Sequence, residues 1–216
     1  DQLNQSEKIT VELGKQTLPV STTANPLGYL KYTYTASEIQ PDMLNADITQ
    51  TTDSPSWGGL YLQYFEKFDQ VQQQKGILSV TKKLFIEKIG SDGKQELLPL
   101  GKEKLKTGDK VITRLTLSLK QDMDFLYLKD FRAACFEPIG QLSGNQWKFG
   151  TVYYEESKDA VTNFFFNSLA KGTYVLEYPV WVNQAGTYQD GIATFQSMYA
   201  PEYTAYSEAG KITVTK

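Results

Sequence analysis

Apolar and polar side chains alternate with a period of two along several stretches of this chain. The clearest stretch covers residues 111–119, where one face carries Val111, Thr113, Leu115, Leu117 and Leu119. The same period recurs over residues 77–89 and 173–182. Because successive side chains of a β-strand point to opposite faces, each stretch predicts a strand with one face against a core.

Shorter apolar runs between turn signals predict further strands. They cover residues 9–13, 30–35, 46–51, 192–199 and 211–215. Residues 57–71 are ambiguous because some of their apolar residues recur every four positions, as on a helix. Gly58 and Gly59 start helices poorly and aromatic residues favour strands, so we predict a strand to about Phe65.

This succession of strands without long helical periods predicts an all-β protein. Residues 70–76, with four Gln, one Lys and one Gly, are the most linker-like part of the chain. We therefore expect a smaller β-sandwich portion over residues 1–71 and an immunoglobulin-like β-sandwich over residues 77–216.

Composition excludes several classes of function. With 40% hydrophobic and 22% charged residues, the chain resembles globular rather than membrane-spanning proteins. A net charge of −3 gives no basic surplus for nucleic-acid phosphates. The absence of histidine excludes His-dependent triads and imidazole zinc sites within the chain, and a single cysteine excludes an internal disulfide. Because it starts at Asp1 without Met or a signal segment, we expect a mature form or a piece of a longer protein.

Residues 169–174 have the spacing of a tyrosine corner, a feature of immunoglobulin-type sandwiches. Leu169 is followed by Gly172 and Tyr174, and in such corners the tyrosine hydroxyl bonds to nearby backbone. The position that holds the second cysteine in antibody domains is Leu176 here. We therefore predict structural roles for Tyr174, Gly172 and Leu169 in a sandwich held by packing alone.

Cys135 has two interpretations. Arg132 could lower the pKa of its thiol and make it reactive. The apolar flank and the lack of histidine favour instead a small, buried side chain with a structural role. The run Gly-Cys-x-Glu-Gln, which a thioester requires, is absent.

Two acidic groups could suggest calcium: Asp122, Asp124 and Asp130, and the acidic residues within 155–159. Neither group matches an EF-hand loop and lysines interrupt both, so we interpret them as solvated loop charges. We predict no metal, no cofactor and no catalytic residue. Carboxylate pairs that meet only in space leave a hydrolase open as an alternative.

Three consecutive phenylalanines, Phe164, Phe165 and Phe166, cannot all face one side of a strand. At least one must point away from its own core, where we expect a neighbouring domain or a covering loop. A carbohydrate platform is unsupported because Trp57, Trp147 and Trp181 lie far apart in the sequence.

Five runs of the sequence are distinctive in combination. They are residues 57–66 (WGGLYLQYFE), 128–138 (LKDFRAACFEP), 159–167 (DAVTNFFFN), 171–178 (KGTYVLEY) and 196–202 (QSMYAPE). Together they resemble the C-terminal end of bacterial alpha-2-macroglobulin family proteins. The similarity covers most of residues 57–216, whereas over residues 1–56 it rests on the order of strands and turns.

The resemblance implies a place in a longer polypeptide. Residues 1–71 would be the second half of a CUB-like sandwich, and residues 77–216 the terminal macroglobulin-like domain. Family members trap proteases: a bait loop is cut, the molecule rearranges, and the protease is enclosed or tethered. The implied partners are other domains of the same polypeptide and, through the full-length protein, proteases. The implied location is the periplasm, the cell envelope or the exterior.

The resemblance favours a non-catalytic structural module of a protease-trapping inhibitor. A stand-alone surface module that binds glycans or peptides is the main alternative, and a hydrolase with an unmarked carboxylate site is a third. In each case we expect no nucleic-acid partner and no direct membrane insertion.

Overall fold

The computed structural model describes residues 9–19, 31–51, 53, 58–101, 104–140, 142–148 and 150–216. The chain divides into two compact units, Asp1–Gln63 and Tyr64–Lys216. Nearly all of its regular structure is β-strand, and the described residues form no α-helix. The prediction of an all-β protein is therefore confirmed. Within the described residues, no helix is long and apolar enough to cross a membrane.

The first unit contains a three-stranded antiparallel sheet. Its strands are β1 (Ile9–Leu13), β2 (Gln16–Thr17) and β3 (Ala46–Gln50), in the order β2-β1-β3. A short 3₁₀ segment, Pro41–Leu44, precedes β3. Leu13 is buried, but every side chain of β3 is exposed. The described part of this sheet therefore buries few apolar side chains.

The strand predicted over residues 30–35 is wrong for residues 31–35, and Leu30 lies outside the described residues. Residues 31–35 belong to no sheet. Thr35 instead opens a turn, in which its backbone N–H and its Oγ1 donate to the Glu38 carboxylate at 2.7 and 2.6 Å. Local bonds of this kind compete with the ladder of a sheet.

The described residues of the second unit form three sheets. The strands are β4 (Leu78–Ile89), β5 (Gln95–Pro99), β6 (Leu105–Lys106), β7 (Lys110–Leu119), β8 (Met123–Phe131), β9 (Phe136–Pro138), β10 (Gly144–Lys148), β11 (Thr151–Ser157), β12 (Val161–Leu169), β13 (Gly172–Val182), β14 (Gly186–Asp190), β15 (Ala193–Ser197), β16 (Thr204–Tyr206) and β17 (Gly210–Thr215). A six-stranded sheet has the order β10-β11-β12-β8-β15-β16, and a five-stranded sheet the order β5-β4-β7-β13-β9. The small sheet β14-β17-β6 contains the parallel pair β17 and β6.

The two larger sheets of this unit share one apolar core, as in a β-sandwich. The predicted inward residues of β4 are buried, and so are those of β7: Leu78, Val80, Leu84, Ile86, Val111, Thr113, Leu115, Leu117 and Leu119. From the six-stranded sheet, Phe164 packs with its ring centroid 6.2 Å from that of Tyr178 on β13. The period-two prediction is therefore confirmed for these strands.

Pro179 lies where β13 gains its second neighbour. β13 pairs with β7 from Gly172 to Trp181, but with β9 only over Val180–Val182. The part of β13 before Pro179 therefore forms an edge of the described sheet. A proline is tolerated at such a position because it has no N–H to offer a second strand.

The strand predicted from residue 57 to Phe65 is wrong over its described part. Trp57 lies outside the described residues, residues 58–67 have no regular structure, and Phe68–Gln70 form a 3₁₀ segment. The apolar side chains here are largely exposed: Leu60, Tyr61, Leu62, Tyr64 and Phe65. Among the described residues, no neighbouring strand pairs with this segment, and strand propensity alone does not form a strand without such a partner.

The phenylalanine triplet divides between the two faces of β12. Phe164 and Phe166 are buried in the core. Phe165 points outward, as the prediction of at least one outward ring requires. Its cover, however, comes from its own sheet: the ring stacks on Tyr127 at 4.9 Å and meets Tyr154 at 6.2 Å.

Candidate functional site

Lys82 occupies an inward-facing position of β4, between Val80 and Leu84. Its side chain is only 3% exposed, although the neighbouring inward positions are apolar. Burying an unpaired ammonium group is strongly unfavourable, so a lysine in this place requires oxygen partners.

Four oxygen atoms surround the ammonium of Lys82. Nζ lies 3.0 Å from Asp130 Oδ1 and 2.9 Å from Asp190 Oδ1. It also donates hydrogen bonds to the backbone carbonyls of Phe131, at 2.7 Å, and Gly191, at 2.8 Å. We call Lys82, Asp130 and Asp190 the lysine–aspartate cluster. Because these residues lie on β4, β8 and β14, the cluster joins three different sheets.

Asp130 is the most enclosed member of the cluster. Its side chain is fully buried, and Tyr178 from β13 donates its hydroxyl hydrogen to Oδ2. Arg132, two residues along the chain, adds a second positive charge that favours the carboxylate. The two oxygens of Asp130 therefore have different partners, the ammonium at Oδ1 and the phenol at Oδ2.

Asp190 is held in place because the two residues that follow it, Gly191 and Ile192, lie close against β8. The N–H of Phe131 donates to the Ile192 carbonyl at 3.1 Å. A Cβ at Gly191 would collide with the carbonyl group of Phe131. Glycine is therefore required at position 191, where its own carbonyl accepts from Lys82.

Burial dominates the electrostatics of the cluster. It raises the pKa of Asp130 above its ordinary value, although the Lys82 charge and the Tyr178 hydrogen bond oppose the shift. Burial raises the pKa of Asp190 as well, and the charge of Asp130 adds to this. Burial also disfavours the charged form of Lys82, but the two carboxylates outweigh it and the Lys82 pKa is raised. Two acids thus share one ammonium, and the pair takes up a proton more readily than exposed aspartates do.

Sequence reasoning missed this cluster. The interpretation of Asp130 as a solvated loop charge is wrong, because Asp130 lies on β8 and is fully buried. The same correction applies to Glu155, which lies on β11, is 6% exposed, and has a pKa raised by burial. The sequence did carry one signal, because Lys82 and Asp130 each occupy an inward position in the alternating pattern of their strand.

The residues of the predicted tyrosine corner lie together at the junction of β12 and β13. The Tyr174 hydroxyl donates to the Ala170 carbonyl at 3.0 Å, and Leu169 is buried. A Cβ at Gly172 would meet the Tyr174 ring at 3.8 Å, an ordinary contact. The backbone of Gly172 therefore shows no steric need for glycine.

Cys135 lies in the core and is 1% exposed. Burial raises the pKa of its thiol to about 11, which keeps the thiolate scarce at neutral pH. Arg132 directs its guanidinium elsewhere, to Thr162 Oγ1 and to the carbonyls of Lys158 and Asp159. The reactive interpretation of this cysteine therefore finds no support in its surroundings. Among the described residues, no group of three or more His, Cys, Asp or Glu residues could hold a metal ion.

The sandwich and its core correspond to a known family. Residues 78–202 match the family described as the bacterial alpha-2-macroglobulin MG10 domain. This match covers more than half of the chain. The chain belongs to the bacterial alpha-2-macroglobulin family, and the predicted resemblance is confirmed.

Solved structures of bacterial alpha-2-macroglobulins have the same fold. A mutant of the Salmonella protein is 20% identical with a TM-score of 0.52, over 68% of this chain and 10% of that chain. The trypsin-activated protein from Escherichia coli is 17% identical with a TM-score of 0.51, over 68% of this chain and 11% of that chain. The native conformation of the Escherichia coli protein is 16% identical with a TM-score of 0.51, over 79% of this chain and 10% of that chain.

This chain therefore spans about a tenth of the length of those structures. No curated protein matches it. It is a module of an alpha-2-macroglobulin-like protein, with an immunoglobulin-like β-sandwich over the matched residues.

Proposed function

We propose that this chain is a non-catalytic structural module of a bacterial protease-trapping inhibitor. The observation that carries the proposal is the family match over residues 78–202. The site gives further support, because the buried ionic groups tie sheets to one another and are closed to substrate. Lys82 and Asp130, for example, are 3% and 0% exposed in their side chains.

We further propose that residues 1–71 are the second half of a CUB-like sandwich and residues 77–216 the terminal macroglobulin-like domain. Residues between these ranges contact the sandwich: the Gln74 N–H donates to the Tyr206 carbonyl at 3.0 Å, and Gln73 Nε2 to the Val80 carbonyl at 2.6 Å. These contacts support a short connection whose end is fixed on the terminal domain.

The partners proposed for the module are the remaining domains of its own polypeptide. Two related structures are of Escherichia coli proteins activated by trypsin and by porcine elastase. By analogy, we propose that the full-length protein reacts with proteases, in the periplasm, in the cell envelope or outside the cell.

The test compares the isolated chain with the full-length protein in a trypsin assay. A trap that encloses trypsin suppresses cleavage of a large protein substrate while a small peptide substrate remains accessible. The full-length protein should suppress cleavage of the large substrate and spare cleavage of the small one. The isolated chain should leave both cleavage rates unchanged, and it should not hydrolyse peptides or glycosides by itself. Inhibition or hydrolysis by the isolated chain would overturn the proposal, as would unchanged cleavage of the large substrate by trypsin treated with the full-length protein.

A further inference from the structure

The lysine–aspartate cluster places a primary amine against two carboxyl groups in a closed part of the core. Nζ of Lys82 lies 3.0 Å from Asp130 Oδ1 and 2.9 Å from Asp190 Oδ1. The side chains of Lys82, Asp130 and Asp190 are 3%, 0% and 15% exposed. Neither Oδ1 atom accepts a hydrogen bond of good geometry, although the Lys82 ammonium lies within 3.0 Å of both.

The direction of the amine favours reaction with a carboxyl group. An ammonium has three N–H donors. The carbonyls of Phe131 and Gly191 accept two of them, at 2.7 and 2.8 Å. The third position is left for the two carboxyl groups. When a carboxylate removes that third proton, the nitrogen lone pair faces the carboxyl groups.

We propose that Lys82 and Asp130 form an intramolecular isopeptide bond, with Asp190 as the group that carries the proton. The bond would join Lys82 Nζ to the Asp130 side-chain carbon, and it would link β4 of the five-stranded sheet covalently to β8 of the six-stranded sheet. This modification is independent of the function proposed above.

The step balances without any co-reactant. Asp190 takes one proton from the ammonium of Lys82 and passes it to Oδ1 of Asp130, and the neutral amine attacks the side-chain carbon of the resulting carboxylic acid. Oδ1 of Asp130 leaves as water, with one proton delivered by Asp190 and the other released from the same nitrogen. An ammonium and a carboxylate thus become one amide and one water, and Asp190 ends as it began. General acid–base transfer of this kind requires the carrier within hydrogen-bond reach of the nitrogen, as Asp190 is.

Two features indicate that the amine attacks the carboxyl carbon of Asp130 rather than that of Asp190. Tyr178 donates a hydrogen bond to Asp130 Oδ2, the oxygen that gains negative charge when the amine adds, and such a donor stabilises the addition. Asp130 is also the more deeply buried of the two.

Proximity and burial supply the driving force. Groups held in contact react with effective concentrations of about 10⁵–10⁸ M. This offsets the unfavourable equilibrium for forming an amide from a free amine and a free acid in water. The product also replaces a buried cation and a buried anion with one neutral amide, so the cost of keeping both charges out of water is removed.

The decisive experiment is the intact mass of the purified, unfolded full chain. The isopeptide bond predicts a mass lower than that of the sequence by one water molecule. After trypsin digestion, residues 76–83 should be joined to residues 130–132 through Lys82 and Asp130. An intact mass equal to that of the sequence would overturn the proposal. A linked peptide that joins residues 76–83 to residues 172–211 would also overturn it, because Asp190 would then be the acceptor.

Variants distinguish this bond from water loss elsewhere in the chain. Lys82→Arg keeps a positive charge but removes the amine, and it should restore the full mass. Asp190→Asn should slow the reaction strongly, so that freshly purified protein is mostly unlinked. Lys83→Arg is the matched control, because Lys83 is the exposed neighbour of Lys82, and it should keep the lower mass. Water loss that persists in Lys82→Arg would contradict the assignment.

Discussion

Replacing Lys82 with methionine tests whether the lysine–aspartate cluster stabilises the sandwich. The substitution keeps an unbranched side chain of similar length but removes the Lys82 nitrogen, whether that nitrogen is a free ammonium or part of the proposed isopeptide bond. Asp130 and Asp190 then remain as buried carboxyls without a cation, at 0% and 15% side-chain exposure. Removing one partner of a buried ion pair typically costs about 3–5 kcal/mol, because the other charge stays buried and uncompensated. Since domains are typically stable by about 5–15 kcal/mol, Lys82→Met should remove a large part of the free energy of unfolding.

The dependence on pH gives the same prediction a second, independent readout. Without Lys82, both carboxyls should have a pKa in the folded state well above their unfolded value. A carboxyl of this kind destabilises the fold at a pH above its folded pKa, and the penalty disappears as the pH falls through that pKa towards the unfolded value. The deficit of Lys82→Met relative to the parent chain should therefore be larger at pH 7 than at pH 5.

Urea denaturation followed by far-UV circular dichroism at both pH values measures these differences. Lys83→Met is the matched control, because Lys83 is exposed on the same strand and its change should stay within about 0.5 kcal/mol. Lys82→Met combined with Asp130→Leu should recover part of the loss, since one uncompensated charge is then removed. An unchanged midpoint for Lys82→Met, or a deficit that grows as the pH falls, would refute the reasoning.

Three further predictions concern single residues of the second unit. Tyr174→Phe removes the hydrogen bond to the Ala170 carbonyl and should lower the free energy of unfolding by about 0.5–1.5 kcal/mol; an unchanged denaturation midpoint would argue against a stabilising corner. Cys135, with its thiol pKa raised to about 11 by burial, should react slowly with a thiol reagent at pH 7 and rapidly in urea; fast labelling of the native chain would contradict its burial. Gly191→Ala places a Cβ against the Phe131 carbonyl and should cost about 1–3 kcal/mol in thermal or urea unfolding; a variant as stable as the parent would show that β8 can move aside.

Local sequence patterns predicted those parts of the fold that local geometry determines. The strands at residues 77–89 and 111–119 alternate over many positions, and an alternation of that length is typical of a half-buried strand and of no other regular structure. The corner spacing from Leu169 to Tyr174 also lies within a few residues. By contrast, the strand predicted to about Phe65 failed because a strand also needs a neighbour, and no local pattern shows whether one is present.

The lysine–aspartate cluster could not be found from local patterns, because its three members lie far apart in the sequence. From the sequence alone, we interpreted Asp130 as a solvated loop charge and assigned no role to Lys82. Their positions on the apolar side of β4 and β8 were visible, but a single charge in an apolar stripe does not name its partner. The pairing of β8 with β15, and the approach of Gly191 to Phe131, bring the second carboxylate to the lysine.

The size of the native polypeptide that carries this chain tests the central claim most directly. An antibody raised against the chain, used on an immunoblot of the producing cells, would report that size. Because the chain spans about a tenth of the related structures, a module of a protease trap predicts a band several times larger than 24.4 kDa. A single band near 24 kDa, with no larger precursor, would contradict the account and favour a stand-alone binding module.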